Sequence, residues 1–147
     1  MAVEVLFPPG LQMKRSRLYL AFAMGQPATE SRPDPAAVLT RATLAAAGRL
    51  GLRSRELAAV IGASEASVSR LKTARQLDPA SKEGELALLF LRLFRSLDAL
   101  VGGDETRSRA WLRAQNSHLS GVPAERIRTV EGLIDVVQYL DAMRGRL

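Results

Sequence analysis

The sequence contains no cysteine and only one histidine, His118. Without thiols the chain can form neither a disulfide framework nor a thiolate metal site, and one imidazole supplies too few nitrogen ligands for structural zinc. These absences favour a cytosolic protein. No nucleophile with its base, phosphate-cradling loop or acid pair is recognisable, so we expect neither an enzyme nor a cofactor, and His118 is interpreted as a surface or capping residue.

Long apolar runs are also missing. None approaches the roughly 18 residues needed to cross a bilayer, which excludes an integral membrane protein, and no membrane partner is expected. A basic stretch at residues 13–17 precedes an apolar stretch at 18–24 and imitates a signal peptide starting at Met13. Because the apolar stretch is at the lower length limit and a further twelve residues precede it, a short N-terminal helix or a misplaced start codon is the preferred interpretation.

No segment shows the alternation of β-branched residues that marks a strand, and from Ala36 onward the apolar residues recur at helical spacing. The sequence therefore predicts an all-α fold. Residues 1–38, which contain several proline and glycine turns, are interpreted as an N-terminal extension and linker that need not be fully ordered. Two small helical domains are expected to follow, at residues 39–80 and 81–147.

Caps and breakers set the expected helix ends. The first core helix should span residues 36–50, and Gly51, Gly62, Gly102, Gly103 and Gly145 should end helices. Side chains expected to begin helices are those of Ser54, Ser64, Ser81, Asp104, Pro123 and Thr129. The long helix after Ser81 is apolar on two sides, since Leu88 and Leu91 lie opposite the main stripe, so it should bridge the unit at residues 39–80 to the C-terminal half or to a second protomer. In the last helix the predicted inner face comprises Val130, Leu133, Ile134, Val137 and Leu140.

The positive charge is concentrated in one part of the chain. The net charge of +6 divides into +1 for residues 1–38, +4 for residues 39–80 and +1 for residues 81–147. In the middle segment seven basic residues face three acidic ones. An anionic partner is therefore expected at residues 39–80.

Residues 53–72 have the spacing of a DNA-binding helix-turn-helix. Ala58 permits close approach of two helices, and Gly62 supplies a left-handed turn. The small core between the helices should consist of Leu57, Ile61, Val68 and Leu71. The alternative is an ordinary helical hairpin, but the exposed face of the second helix carries short polar and basic groups that such a hairpin does not need.

Residues of this motif divide by their expected target on DNA. The predicted base contacts are Glu65, Ala66, Ser67 and Arg70, of which Arg70 to guanine is the most specific. Phosphate contacts are predicted for Ser54, Arg55, Ser69, Lys72 and Arg75, and Ser64, at the start of the second helix, is also expected to lie in the DNA-binding surface. The alternative for each arginine is a solvated surface charge. Because one motif reads about half an operator, a two-fold homodimer is expected.

The C-terminal half carries a second, more specific pattern. A Trp-Leu pair and an asparagine lie within residues 110–116, Leu-x-Gly-x-Pro spans 119–123, and Glu131, Gly132, Val136, Leu140 and an Arg-Gly at 144–145 follow. Together with the helix-turn-helix, this order resembles the Xre/MbcA/ParS antitoxins over about residues 39–147. The chain departs from that pattern at Gln115, where the family usually has proline, and at residues 1–38.

The resemblance implies a type II antitoxin with two partners: operator DNA, and a RES-domain toxin that consumes NAD. It further implies repression of the chain's own operon. The expected toxin-binding residues are Trp111, Asn116, Arg144, Gly145, Arg146 and Leu147. From the residues alone, Trp111 is interpreted as a core-packing residue and Asn116 as a turn former, while the alternative for the tail is a frayed, solvated helix end. A stand-alone dimeric repressor remains the alternative function, and a toxin-neutralising adaptor without DNA activity is disfavoured by the local charge.

Overall fold

The computed structural model describes residues 31–146 and contains seven helices in that range. They are α1 (Pro35–Arg49), α2 (Ser54–Ile61), α3 (Glu65–Leu71), α4 (Lys82–Leu100), α5 (Glu105–Arg113), α6 (Pro123–Arg126) and α7 (Val130–Arg144). The only β pairing among the described residues is an isolated bridge between Asn116 and Gly121. The all-α prediction is confirmed. The basic and apolar stretches at 13–24 and the terminal Leu147 lie outside the described residues.

No helix within residues 31–146 is long and apolar enough to cross a membrane.

Most helices begin at the predicted caps. Ser64, Ser81, Asp104 and Thr129 each accept a hydrogen bond from a backbone amide in the first turn of the following helix. The prediction for Ser54 was wrong, because Ser54 is already the first residue of α2 and Arg53 occupies the capping position. There the Glu56 carboxylate accepts a hydrogen bond from the Arg53 backbone amide at 2.9 Å. A side chain in the first turn therefore caps α2, but it is that of an acid and not the expected serine hydroxyl.

The helix-turn-helix core forms as predicted. Gly62 ends α2 with a φ of 71°, a left-handed conformation that costs little only for glycine. Ala58, at the close approach, is 4 % exposed. The four apolar side chains of the predicted core, Leu57, Ile61, Val68 and Leu71, are all buried.

The long helix α4 joins the two halves of the fold. It packs against α1 and α2 on the N-terminal side and against α5 and α7 on the C-terminal side, with the most extensive packing against α7. Phe90, Leu93 and Leu97 form its buried stripe. The predicted bridging role is confirmed, although Leu88 on the opposite side remains 51 % exposed.

The inner face of α7 differs from the prediction at two positions. Val130 and Ile134 are 56 % and 37 % exposed, whereas Val136 is fully buried. The buried set is Leu133, Val136, Val137 and Leu140, which is the i, i+3, i+4, i+7 pattern of a helix packed along one side. Val130 and Ile134 belong to the neighbouring edge of the helix, and the sequence pattern did not distinguish that edge from the inner face.

Candidate functional site

The exposed face of α3, the recognition helix of the helix-turn-helix, presents a connected group of polar side chains. Ser64 Oγ accepts from the Ser67 amide at 3.1 Å and lies 2.9 Å from Ser67 Oγ. Arg70 Nη2 donates to Ser67 Oγ at 3.3 Å. Glu65, Ala66 and Arg70 are exposed and Ser67 is half-buried. Hydrogen bonds thus link Ser64, Ser67 and Arg70 along this short helix, and none of the four predicted base-contacting residues is buried.

The first turn of α2 lies beside the end of α3. Lys72 Nζ donates a hydrogen bond to Ser54 Oγ at 3.0 Å, which joins two residues predicted to contact phosphates. Arg55 and Ser69 are exposed. Four of the five predicted phosphate contacts are therefore accessible on the surface or joined directly to one another.

Arg75, the fifth, stands apart from this group. Its guanidinium forms an ion pair with Glu83 in the first turn of α4, and its side chain is 34 % exposed. Nη1 is buried without a hydrogen-bond partner among the described residues. This pairing ties the segment after α3 to α4, and a phosphate contact by Arg75 would have to compete with it.

The strongest electrostatic feature is a residue that sequence reasoning missed. Glu56 of α2 is 6 % exposed and accepts two hydrogen bonds from the Arg113 guanidinium of α5, at 2.6 and 3.1 Å. The hydrogen bonding from Arg113 outweighs the effect of burial and lowers the pKa of Glu56 to about 2. The only sequence signal was a glutamate three residues into a capped helix, which says nothing about the distant arginine.

Further arginines fasten α5 to the N-terminal helices. Arg109 donates to the backbone carbonyls of Arg49 and Gly48 at 2.8 and 3.1 Å. Arg49 in turn pairs with Asp98 at 2.9 Å and Glu105 at 3.0 Å. Together with the pair of Glu56 and Arg113, these contacts join α1 and α2 to α5 through charged and polar groups.

In the C-terminal half, Trp111 packs on the core and stacks with Tyr139, with ring centroids 6.3 Å apart. His118 stacks with the same tyrosine at 5.8 Å. Asn116 Oδ1 accepts from the amides of His118 and Leu119 at 3.0 and 3.3 Å, so it shapes the turn, as expected. Trp111 is half-buried and therefore still has accessible ring surface.

The residues at the end of α7 are exposed. Arg144, Gly145 and Arg146 are all accessible, while Leu147 lies outside the described residues. Arg144 Nη1 is 3.5 Å from Ser96 Oγ, and Ser96 donates to Asp141 at 2.7 Å. That hydrogen bond, followed by the contact with Arg92, lowers the pKa of Asp141. Arg144, at the base of the tail, is thus tied to α4, and Arg146 beyond it is exposed.

Within residues 31–146 no three histidine, cysteine or acidic side chains come close enough together to hold a metal ion. Two family models match the chain. Residues 30–92 match the antitoxin Xre-like helix-turn-helix domain, and residues 96–146 match the antitoxin Xre/MbcA/ParS C-terminal toxin-binding domain. The interval between the two matched ranges lies inside α4. No curated protein matches the chain significantly.

Proposed function

This chain belongs to the Xre/MbcA/ParS antitoxin family, and we propose on that basis that it has two activities. It represses its own operon, and it neutralises a RES-domain toxin that degrades NAD. The observation that carries the proposal is the pairing, in one fold, of a helix-turn-helix and a toxin-binding domain. Each half brings its own surface: an exposed polar face on α3, and an exposed basic tail after α7.

The DNA half of the proposal rests on α3. Its exposed face combines small polar groups with Arg70, and an arginine can donate two hydrogen bonds to guanine. Lys72 and Ser54, joined at 3.0 Å, mark a neighbouring site for backbone phosphates, with Arg55 and Ser69 beside them. Because a single α3 would read only half of a typical operator, the proposed repressor is a homodimer that binds two half-sites.

The toxin half rests on the C-terminal domain, which we assign to the residues after α3, from about residue 81 onward. Trp111, at the surface beside Tyr139, offers aromatic area of the kind that anchors protein interfaces. Arg144 and Arg146 are exposed at the end of α7, and guanidinium groups suit the carboxylate or phosphate groups of a nucleotide pocket. We assign Trp111, Asn116 and residues 144–147 to the toxin interface.

We expect a RES-domain toxin gene beside the gene of this chain, and co-expression with that toxin tests the proposal. Full-length chain should co-purify with the toxin and preserve cellular NAD, and deletion of residues 144–147 should relieve the inhibition more than it weakens DNA binding. A double substitution of Lys82 and Glu85, an exposed ion pair on the first turn of α4, is the matched control and should leave both activities intact. If the deletion leaves toxin inhibition unchanged, residues 144–147 take no part in inhibiting the toxin.

If this chain inhibits the toxin but does not bind its promoter, or binds its promoter but does not inhibit the toxin, only one part of the proposal holds. A chain that binds its promoter but neither binds nor inhibits any RES-domain protein would be a stand-alone repressor. In that case the C-terminal helices would serve dimerisation or small-molecule sensing instead of toxin binding.

A further inference from the structure

A polar cleft of about 640 Å³ lies beside the first turn of the recognition helix. Its lining combines residues of α2 and α3 with one residue from the far end of the sequence: Arg53, Arg55, Glu56, Ala59, Glu65 and Arg128. Arg128 belongs to the turn between α6 and α7, within the range matched by the toxin-binding domain. A residue of the range matched by the toxin-binding domain therefore lies in a cleft with residues of both helices of the helix-turn-helix.

The arginines of the cleft carry more positive charge than its carboxylates neutralise, so the cleft can bind an anion. Arg113 already satisfies the Glu56 carboxylate with two hydrogen bonds. Arg53 Nε and Arg128 Nη2 lie 3.7 and 3.9 Å from the Glu56 oxygens, too far for a hydrogen bond. With Arg55 they make three arginines, and the one other carboxylate in the lining is that of Glu65.

Arg128 stands on a fixed backbone. Its neighbour Ile127 is fully buried. Thr129 Oγ1 accepts from the Gly132 amide at 3.1 Å and donates to the Arg126 carbonyl at 3.3 Å. A Cβ at Gly132 would lie 2.0 Å from that carbonyl oxygen, so α7 closes tightly on the turn. The Arg128 side chain is nevertheless 48 % exposed, so a ligand can reach it with little backbone rearrangement.

The chemistry of this cluster fits a phosphate diester. The guanidinium forks of Arg53 and Arg128 can each donate two hydrogen bonds to phosphate oxygens. In a helix-turn-helix the first helix crosses the DNA backbone while the second enters the groove, and the cleft lies between residues of these two helices. We propose that Arg128, together with Arg53, binds a backbone phosphate of DNA, so that the toxin-binding domain itself contributes to DNA binding. This inference rests on the proposed DNA-binding function.

The test compares Arg128→Ala with Arg95→Ala in the full-length chain. Arg95 is also exposed and lines a different groove, so both variants lose one positive charge. The probes are a duplex from the chain's own promoter and an unrelated duplex of equal length, titrated at several salt concentrations. Arg128→Ala should weaken binding to both duplexes about tenfold and reduce the slope of log K against log salt by about 1. Arg53→Ala should act in the same way.

The outcomes are distinguishable. If Arg128→Ala matches Arg95→Ala in affinity and salt slope while Arg70→Ala weakens promoter binding, the phosphate site is wrong and the helix-turn-helix function stands. If the unmodified chain binds neither duplex, the proposed DNA function itself fails. Weakening of the toxin complex without any change in DNA binding would assign Arg128 to the toxin instead and overturn the inference. Should Arg128→Ala lower the melting temperature, Arg128→Gln, which keeps a polar side chain of similar length, replaces it.

Discussion

Replacing Glu56 by glutamine should reveal how strongly the two halves of the fold are tied together. The carboxylate is almost fully buried and bonded twice to Arg113, and its pKa falls from an ordinary 4.5 to about 2. A difference of that size corresponds to about 3 kcal/mol of stability at neutral pH. Because the Arg113 side chain is 44 % exposed, solvent screening reduces the expected loss to about 2 kcal/mol.

The pH dependence gives the sharper form of this prediction. A carboxyl group whose pKa is lowered by folding stabilises the protein above its unfolded pKa, and that contribution disappears as the pH falls from about 4.5 towards 2. Urea unfolding at pH 7 should therefore show Glu56→Gln about 2 kcal/mol less stable than the unmodified chain, and the gap should narrow steadily below pH 4.5. Glu131→Gln, at an exposed position, is the control and should change stability by less than about 0.5 kcal/mol. A gap of equal size at pH 7 and pH 3 would refute the linkage between Glu56 ionisation and folding.

Three further substitutions test the helix-turn-helix. Arg70→Ala should cost ~1 to 3 kcal/mol in promoter binding and relax the sequence preference at one operator position, whereas Lys72→Ala should weaken binding to all duplexes similarly and flatten its salt dependence. Fluorescence anisotropy measures both effects. Equal losses of affinity for promoter and random DNA would show that Arg70 does not contact bases. Gly62→Ala should destabilise the fold by about 1 to 2 kcal/mol in urea unfolding, because the φ of 71° is strained for alanine; an unchanged midpoint would contradict this.

Local signals in the sequence predicted the helices well. Ser64, Ser81 and Thr129 cap the helices assigned to them, because a hydroxyl before an apolar-periodic stretch acts through contacts only three residues long. The two failures have different origins. At the start of α2 the capping hydrogen bond is accepted by Glu56 from the Arg53 amide, rather than by Ser54. Which side chains of α7 are buried depends on where α4 packs against it, and the sequence of α7 alone does not show this.

The features missed from the sequence are long-range. The pair of Glu56 and Arg113 joins residues 57 positions apart, and Arg128 approaches α2 from a still greater distance along the chain. Nothing in the neighbourhood of Glu56 in the sequence distinguishes it from a solvated acid. Helix spacing indicated the polar face of α3, whereas the contribution of the C-terminal domain to the cleft beside α3 depends on how α2, α5 and the α6–α7 turn pack together.

The most direct test of the antitoxin proposal is the cellular NAD level in bacteria that express the proposed RES-domain toxin, with and without this chain. NAD should fall when the toxin is expressed alone and stay near the uninduced level when the full-length chain is co-expressed, and the two proteins should co-purify. NAD that falls to the same level in both cultures, with the chain present in folded form, would contradict the proposal.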